Sequence, residues 1–141
     1  MSMIRADHLT FSYAGAQPVF EDVGFVIDTE WKLALVGRNG RGKTTLLQLL
    51  AGRYAYSGNI HASIRFSYFP CEIQDGSCLT REVLQTIAPF AQEWEMLREL
   101  SWLALDEEVL DRPFDTLSQG EQTKVQLAAL FLDEDSFQLI D

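Results

Sequence analysis

The sequence predicts an α/β fold, and three features point to it. Two strand-like stretches open the chain, a glycine-rich loop joins a short apolar run to a helical segment, and a helical stretch precedes a last apolar strand. The length of 141 residues favours one domain with a single sizeable core.

From the start, Ile4 to Tyr13 alternates imperfectly and Phe20 to Ile27 reads as a second strand, with a turn signal from Gly15 to Pro18 between them. Leu33 to Val36 is an apolar run ended by glycine, which suits a strand buried on both faces. After Gly42 the sequence KTTLLQLLAG is helical, and Gly52 is its expected stop. Ile64 to Phe69 reads as a strand broken by Pro70.

From Thr80 to Leu110 the period changes. Val83, Leu84, Ile87, Phe90, Trp94, Leu97, Leu100 and Leu103 recur at helical spacings, so a helical insert is expected over about 80–115. Trp94 and Trp102 are expected in its core, with partner contact as the second reading. A further helix is expected from Gln119 to Leu132, and Phe137 to Ile140 should be the final strand.

Hydrophobic residues make up 47% of the chain and charged residues 23%, values ordinary for a soluble globular domain. The net charge of −10 is uneven: residues 1–56 balance at +1 and residues 57–141 at −11. So acidic a second half argues against a broad nucleic-acid footprint, because phosphates need cationic partners. No apolar run reaches the roughly 18 residues that cross a bilayer, and the N-terminus lacks a secretory pattern, so the cytoplasm is the expected compartment. Cys71 and Cys78 form neither a disulfide framework nor a zinc pattern.

The loop carries the chemistry. Gly37, Arg38, Asn39, Gly40, Arg41, Gly42, Lys43 and Thr44 match G-x-x-x-x-G-K-[ST] in full, with Thr45 following. Glycines let backbone amides approach phosphate oxygens, and a helix starting here aims its positive end at the same anion. Lys43 suits the β- and γ-phosphates of ATP, and the Thr44 hydroxyl suits Mg²⁺. The loop alone leaves GTPases, kinases and transport ATPases open.

The next feature separates these classes. Leu117-Ser118-Gln119-Gly120-Glu121-Gln122 precedes a helix, and an apolar strand ending in Asp141 lies beyond it. Taken alone, Ser118 is an ordinary helix cap. The order of P-loop, LSGGQ-like signature and strand-terminal aspartate resembles the ABC ATPase family. That resemblance implies a P-loop NTPase core with an antiparallel β-rich portion and a helical insert, cut short at its C-terminal side. It implies ATP as ligand, Mg²⁺ held by Thr44 and Asp141, and Tyr13 stacked on adenine. It also implies that Ser118, Gln119, Gly120 and Glu121 would face a second ATP held by another ABC domain.

Within that family the chain looks most like the ABC-F branch, on the WKLALVGRNGRGKTTLL and LSQGEQTKVQLAALFL blocks and the FQLID tail. The branch pairs two ATPase domains in one chain without a membrane domain. Its resistance members act on the ribosome and counter ribosome-targeting antibiotics, so the expected partners are ATP, a second ABC domain and the ribosome, with no membrane. The branch-specific signs are Arg38 with Arg41 and the GEQTKV segment. Two departures matter. Cys71, followed by Glu72, stands where the family places a glutamine that senses the γ-phosphate and Mg²⁺. Gln119 replaces the first glycine of the usual signature. The family's catalytic glutamate would follow Asp141, so no general base is nominated and these 141 residues alone are not expected to hydrolyse ATP. The alternatives are the energising subunit of a membrane ABC transporter and an inactive nucleotide-binding remnant. An exposed sheet edge and self-association are expected of the isolated chain.

Overall fold

The broken alternation of the first strand has a structural cause. In the computed structural model, which describes residues 2–141, strand β1 (Met3–Ser12) buries Ile4 and Ala6, then Leu9 and Phe11. The step of three from Ala6 to Leu9 would turn the second pair outward in a regular strand. It does not, because the chain bulges at His8, whose φ is 53°. Asp7 pairs with Asn59 and Thr10 with Ser57, so His8 and Leu9 face the single residue Gly58 of β3 (Ser57–Ala62). Strand β2 (Pro18–Asp28) pairs antiparallel with the other edge of β1, giving the order β2-β1-β3. The β2 side is irregular too: Asp22 has a φ of 50°, its amide donates to Thr10 Oγ1 at 3.0 Å, and its carboxylate meets the His8 ring.

Gly58 makes the close pairing possible. Its φ is +97°, and a Cβ there would lie 2.2 Å from the His8 carbonyl oxygen. Only glycine fits. Strand β3 itself has no counterpart in the sequence reading, because SGNIHA contains one half-buried apolar residue, Ile60, and an edge strand of this kind carries no alternation.

The chain divides into two units, one of residues up to Ser67 with Asp135–Asp141, the other Tyr68–Glu134. In the first, helix α1 (Lys43–Leu50) packs Leu46 and Leu49 against Ala6, Leu9 and Phe11, with Val19, Phe20 and Ile60 around them. Eight residues make a marginal helix in water, so this apolar contact must hold it. Strand β4 (Arg65–Phe69) pairs with β5 (Ser136–Ile140), where Phe66 and Phe137 meet edge to face at 6.1 Å and the Ser67 and Ser136 hydroxyls are 2.7 Å apart.

The expected doubly buried strand at Leu33–Val36 is not formed. This segment lies outside every described strand, and Leu33, Leu35 and Val36 are 58, 49 and 89% exposed. An apolar run specifies burial, but a central strand also needs ladder partners on both edges, and no described strand pairs with this one.

The second unit is helical: α2 (Thr80–Ile87), α3 (Glu93–Trp102), two short 3-10 turns (Glu107–Asp111 and Phe114–Thr116) and α4 (Gln119–Leu132). It is wider than the insert expected over 80–115, because α4 shares its core: Leu84, Leu100, Leu110 and Phe114 pack with Val125, Ala128 and Leu132. The periodic stretch forms two helices. Pro89 follows the α2 cap at Ala88, and Ala104, at φ 56°, turns the chain after α3. Trp94 and Trp102 are not core residues, being 57 and 72% exposed. The inward face of α3 is instead Met96, Glu99 and Leu100, and helical spacing could not choose between two faces that both carry apolar residues.

All three longer segments of this unit begin alike. Glu82 accepts from the Leu79 amide at 3.0 Å, Glu95 from Gln92 at 2.7 Å and Glu121 from Ser118 at 3.0 Å. Each glutamate satisfies an otherwise orphaned amide and places negative charge at a positive helix end.

Two outcomes follow from this packing. Gly58→Ala should destabilise the chain by about 3 kcal/mol, summing steric overlap with left-handed backbone strain, in chemical denaturation. A midpoint unchanged from the parent would show that β3 pairing contributes little. The second concerns acid. The amide and hydroxyl of Ser118 hold the Glu121 carboxyl below its usual range of about 4.5. A depressed folded value stabilises above the unfolded pKa and is lost as pH falls through the folded one. Glu121→Gln should therefore flatten the loss of melting temperature below about pH 4.5 relative to the parent, and parallel acid limbs would refute this.

Candidate functional site

The loop from Gly37 to Gly42 carries no regular structure and opens directly into α1. Gly42 is the N-cap at φ 97° and ψ 13°, a left-handed conformation. A Cβ on Gly42 would lie 2.7 Å from Val19 Cγ1 and 3.1 Å from Phe20 Cζ. The position is closed to other residues by both conformation and space.

No side chain caps α1, and its first turn holds no acidic residue. The first bond of the helix runs from the Leu46 amide to the Gly42 carbonyl at 2.8 Å, which leaves the amides of Lys43, Thr44 and Thr45 without intrahelical partners. Three N–H groups and the positive end of the helix therefore converge, the arrangement that attracts a phosphate. The contrast with α4 is instructive, because there a serine and a glutamate occupy the same positions.

The Lys43 ammonium closes over the loop, donating to the Gly37 carbonyl and, at 3.1 Å, to that of Arg38. Arg38, Asn39 and Arg41 are exposed, and among the described residues neither arginine has an ion-pair partner. The loop and helix start line a cavity of about 540 Å³ with Tyr13, Val19, Asn39, Gly40, Gly42, Lys43, Thr44 and Thr45. That volume is within the roughly 300–1,000 Å³ of small-molecule sites.

One wall of the cavity is aromatic. Tyr13 is 40% exposed and meets Phe11 edge-on at 5.0 Å and Tyr54 at 5.7 Å. Its hydroxyl lies 2.8 Å from Thr45 Oγ1, which ties the ring to α1. Val19 and Tyr54 were not singled out in the sequence. A lone valine after a proline and a tyrosine just past a helix stop carry no motif.

Sequence-distant oxygens meet at Thr44, whose hydroxyl donates to Asp141 Oδ1 at 2.9 Å across 97 positions. These are hard donors, and they fit a divalent cation such as Mg²⁺. No group of three or more His, Cys, Asp or Glu able to hold a metal occurs among the described residues. Mg²⁺ suits such a sparse site because it is typically held by one or two protein oxygens with phosphate and water completing the shell.

The signature segment lies in the other unit. Ser118 is the α4 cap: its hydroxyl oxygen accepts from the Glu121 amide at 3.2 Å, and Arg112 stands 3.7 Å from the Glu121 carboxylate. The capping reading of Ser118 holds. Gln119 and Gly120 are exposed at the helix start, and nothing lies within 4 Å of a Cβ placed on Gly120. Gln122 is spent on the Phe114 and Leu117 carbonyls, both at 3.2 Å. At the altered position, the Cys71 amide donates to Gln126 Oε1 of α4 at 3.2 Å.

Similarity to known proteins agrees with this arrangement. The family described as ABC transporter matches residues 20–141. Human ATP-binding cassette sub-family F member 3 is 28% identical over 99% of this chain, which spans 20% of that relative's length. The zinc import ATP-binding protein ZnuC of Pseudomonas entomophila is 29% identical over 99% of the chain and 56% of its own length. Among solved structures, a putative ABC transporter ATP-binding protein from Pyrococcus furiosus superposes with a TM-score of 0.80 at 23% identity, covering 99% of this chain and 74% of that one. With the family match covering most of its length, the chain belongs to the ABC transporter ATP-binding family.

Proposed function

We propose that this chain binds ATP with Mg²⁺ as part of an ABC-F ATPase that acts on the ribosome and protects it from antibiotics. The observation that carries the ATP reading is the uncapped start of α1 under a left-handed Gly42, beside the Lys43 ammonium. ABC ATPase domains bind ATP with Mg²⁺, and a bound Mg²⁺ neutralises charge between the β- and γ-phosphates. The residues of this chain would divide the work. The amides of Lys43, Thr44 and Thr45 hold phosphate oxygens, Lys43 exchanges its carbonyl contacts for phosphate, and Thr44 with Asp141 supplies the cation's protein oxygens. Tyr13, fixed by Thr45, offers its ring to the adenine. Ser118, Gln119, Gly120 and Glu121 serve a second ATP on a partner ABC domain.

The ABC-F reading is supported by the sub-family F relative and by the Arg38, Arg41 and GEQTKV features. The ZnuC relative, at similar identity, favours a second reading, the ATP-binding subunit of a membrane transporter. No described helix is long and apolar enough to cross a membrane.

Lys43→Ala should weaken ATP binding by at least about tenfold, the loss of one charge-assisted phosphate contact, whereas Cys71→Ala should leave affinity within about twofold in calorimetry. Equal affinities for the two variants would remove Lys43 from the site. The two cellular readings separate by sedimentation of the full-length protein. ABC-F action predicts ATP-dependent recovery with ribosomes, and recovery with membranes instead would establish the transporter reading.

A further inference from the structure

Two tryptophans stand out on the surface of the helical unit. Trp94, at 57%, and Trp102, at 72%, are more exposed than a tryptophan has reason to be on a folded surface. They lie eight residues apart on α3 with Arg98 midway, so all three share one face. The Arg98 guanidinium is 5.3 Å from the Trp94 ring centre and 5.1 Å from that of Trp102. It is anchored from below, because its Nη2 donates at 3.2 Å to Glu99, a carboxylate 5% exposed. Trp94 is further held by its indole N–H, which donates to Gln92 at 2.8 Å. The result is a braced Trp-Arg-Trp stack rather than two loose rings. Tryptophan and arginine held rigid at a surface are the residues that carry binding energy at interfaces.

The surrounding charge selects the occupant. Tyr68–Glu134 holds fourteen acidic and four basic residues. Three of those four cations are already engaged: Arg81 with Glu93 and Asp111, Arg98 with Glu99, and Arg112 with Glu121. Five and six residues after Trp102 in the chain, Glu107 and Glu108 are exposed and make no ion pair among the described residues. Each tryptophan spends one ring face on Arg98 and keeps the other, whose negative quadrupole attracts a cation. Nucleic acid and anionic lipid are both repelled by this field. We propose that the Trp94-Arg98-Trp102 face of α3 is a docking surface for an arginine- or lysine-rich protein segment. Its cationic side chains stack on the open indole faces, and their remaining charge is met by carboxylates such as Glu107 and Glu108. This surface is separate from the nucleotide reading, and its test does not depend on ATP.

The test is a titration of the 141-residue chain with a synthetic hexa-arginine peptide, followed through the indole N–H resonances. Three tryptophans give three signals, and Trp31 serves as the internal reference. The Trp94 and Trp102 signals should move and Trp31 should not. The Trp94→Ala/Trp102→Ala variant, whose charge is unchanged, should bind the peptide about tenfold more weakly, whereas pure charge attraction would leave binding within about twofold. Should the double variant fail to give a parent-like melt, Trp102→Ala alone tests the same point at the more exposed ring. Glu107→Gln/Glu108→Gln should weaken binding by about threefold and reduce its salt dependence. The proposal is overturned if only Trp31 responds, if tryptophan removal leaves affinity intact, or if oligouridine or phosphatidylserine vesicles move the same indole signals in place of the peptide.

Discussion

The candidate site depends on one backbone conformation. Gly42 turns left-handed against Val19 and Phe20 of β2, and this turn starts α1 without any side chain at its cap. Were a serine or aspartate there, its oxygen would satisfy the amides that a phosphate oxygen can otherwise take. The sheet therefore acts on the loop through contact: β2 leaves room for no Cβ, and that closeness keeps the helix end open. Thr45 adds a second restraint, buried at the helix start and bonded to the Tyr13 hydroxyl.

The three-stranded sheet meets this demand with bulges rather than regular pairing. Both His8 and Asp22 sit at positive φ, a conformation that costs non-glycine residues energy, and their side chains pair with each other across the strands. The carboxylate of Asp22 raises the His8 pKa above its usual 6.5. The bulge keeps Leu9 and Phe11 on the inner face, where they pack with Leu49 of α1. A strained bulge in the central strand thus serves the core beneath the nucleotide loop.

The acidity of the helical unit has a structural share and a surface share. Glu82, Glu95 and Glu121 each close a helix start, and Glu93, Glu99 and Asp111 pair with arginines. These carboxylates hold local structure together. Others, such as Glu107 and Glu108, face outward. Helix capping alone does not require such a surplus, and a cationic partner gives it a use.

Local chemistry was readable in the sequence where it depends on neighbours in the chain. The phosphate loop, the start of α4 at Gln119 and its end at Leu132, and the strand ending at Ile140 each follow from residue types at short spacing. Tertiary structure decided what depends on distant partners. Leu33 to Val36 reads as a buried strand, yet a strand is completed by ladders that no run of four residues can encode. The helical period of α3 marks apolar positions, but only packing against α4 decided that Leu100 turns inward and the tryptophans outward. Thr44 meets Asp141 for the same reason, since a separation of 97 positions leaves no local pattern linking the two oxygens, and only the folded chain brings them within a hydrogen bond.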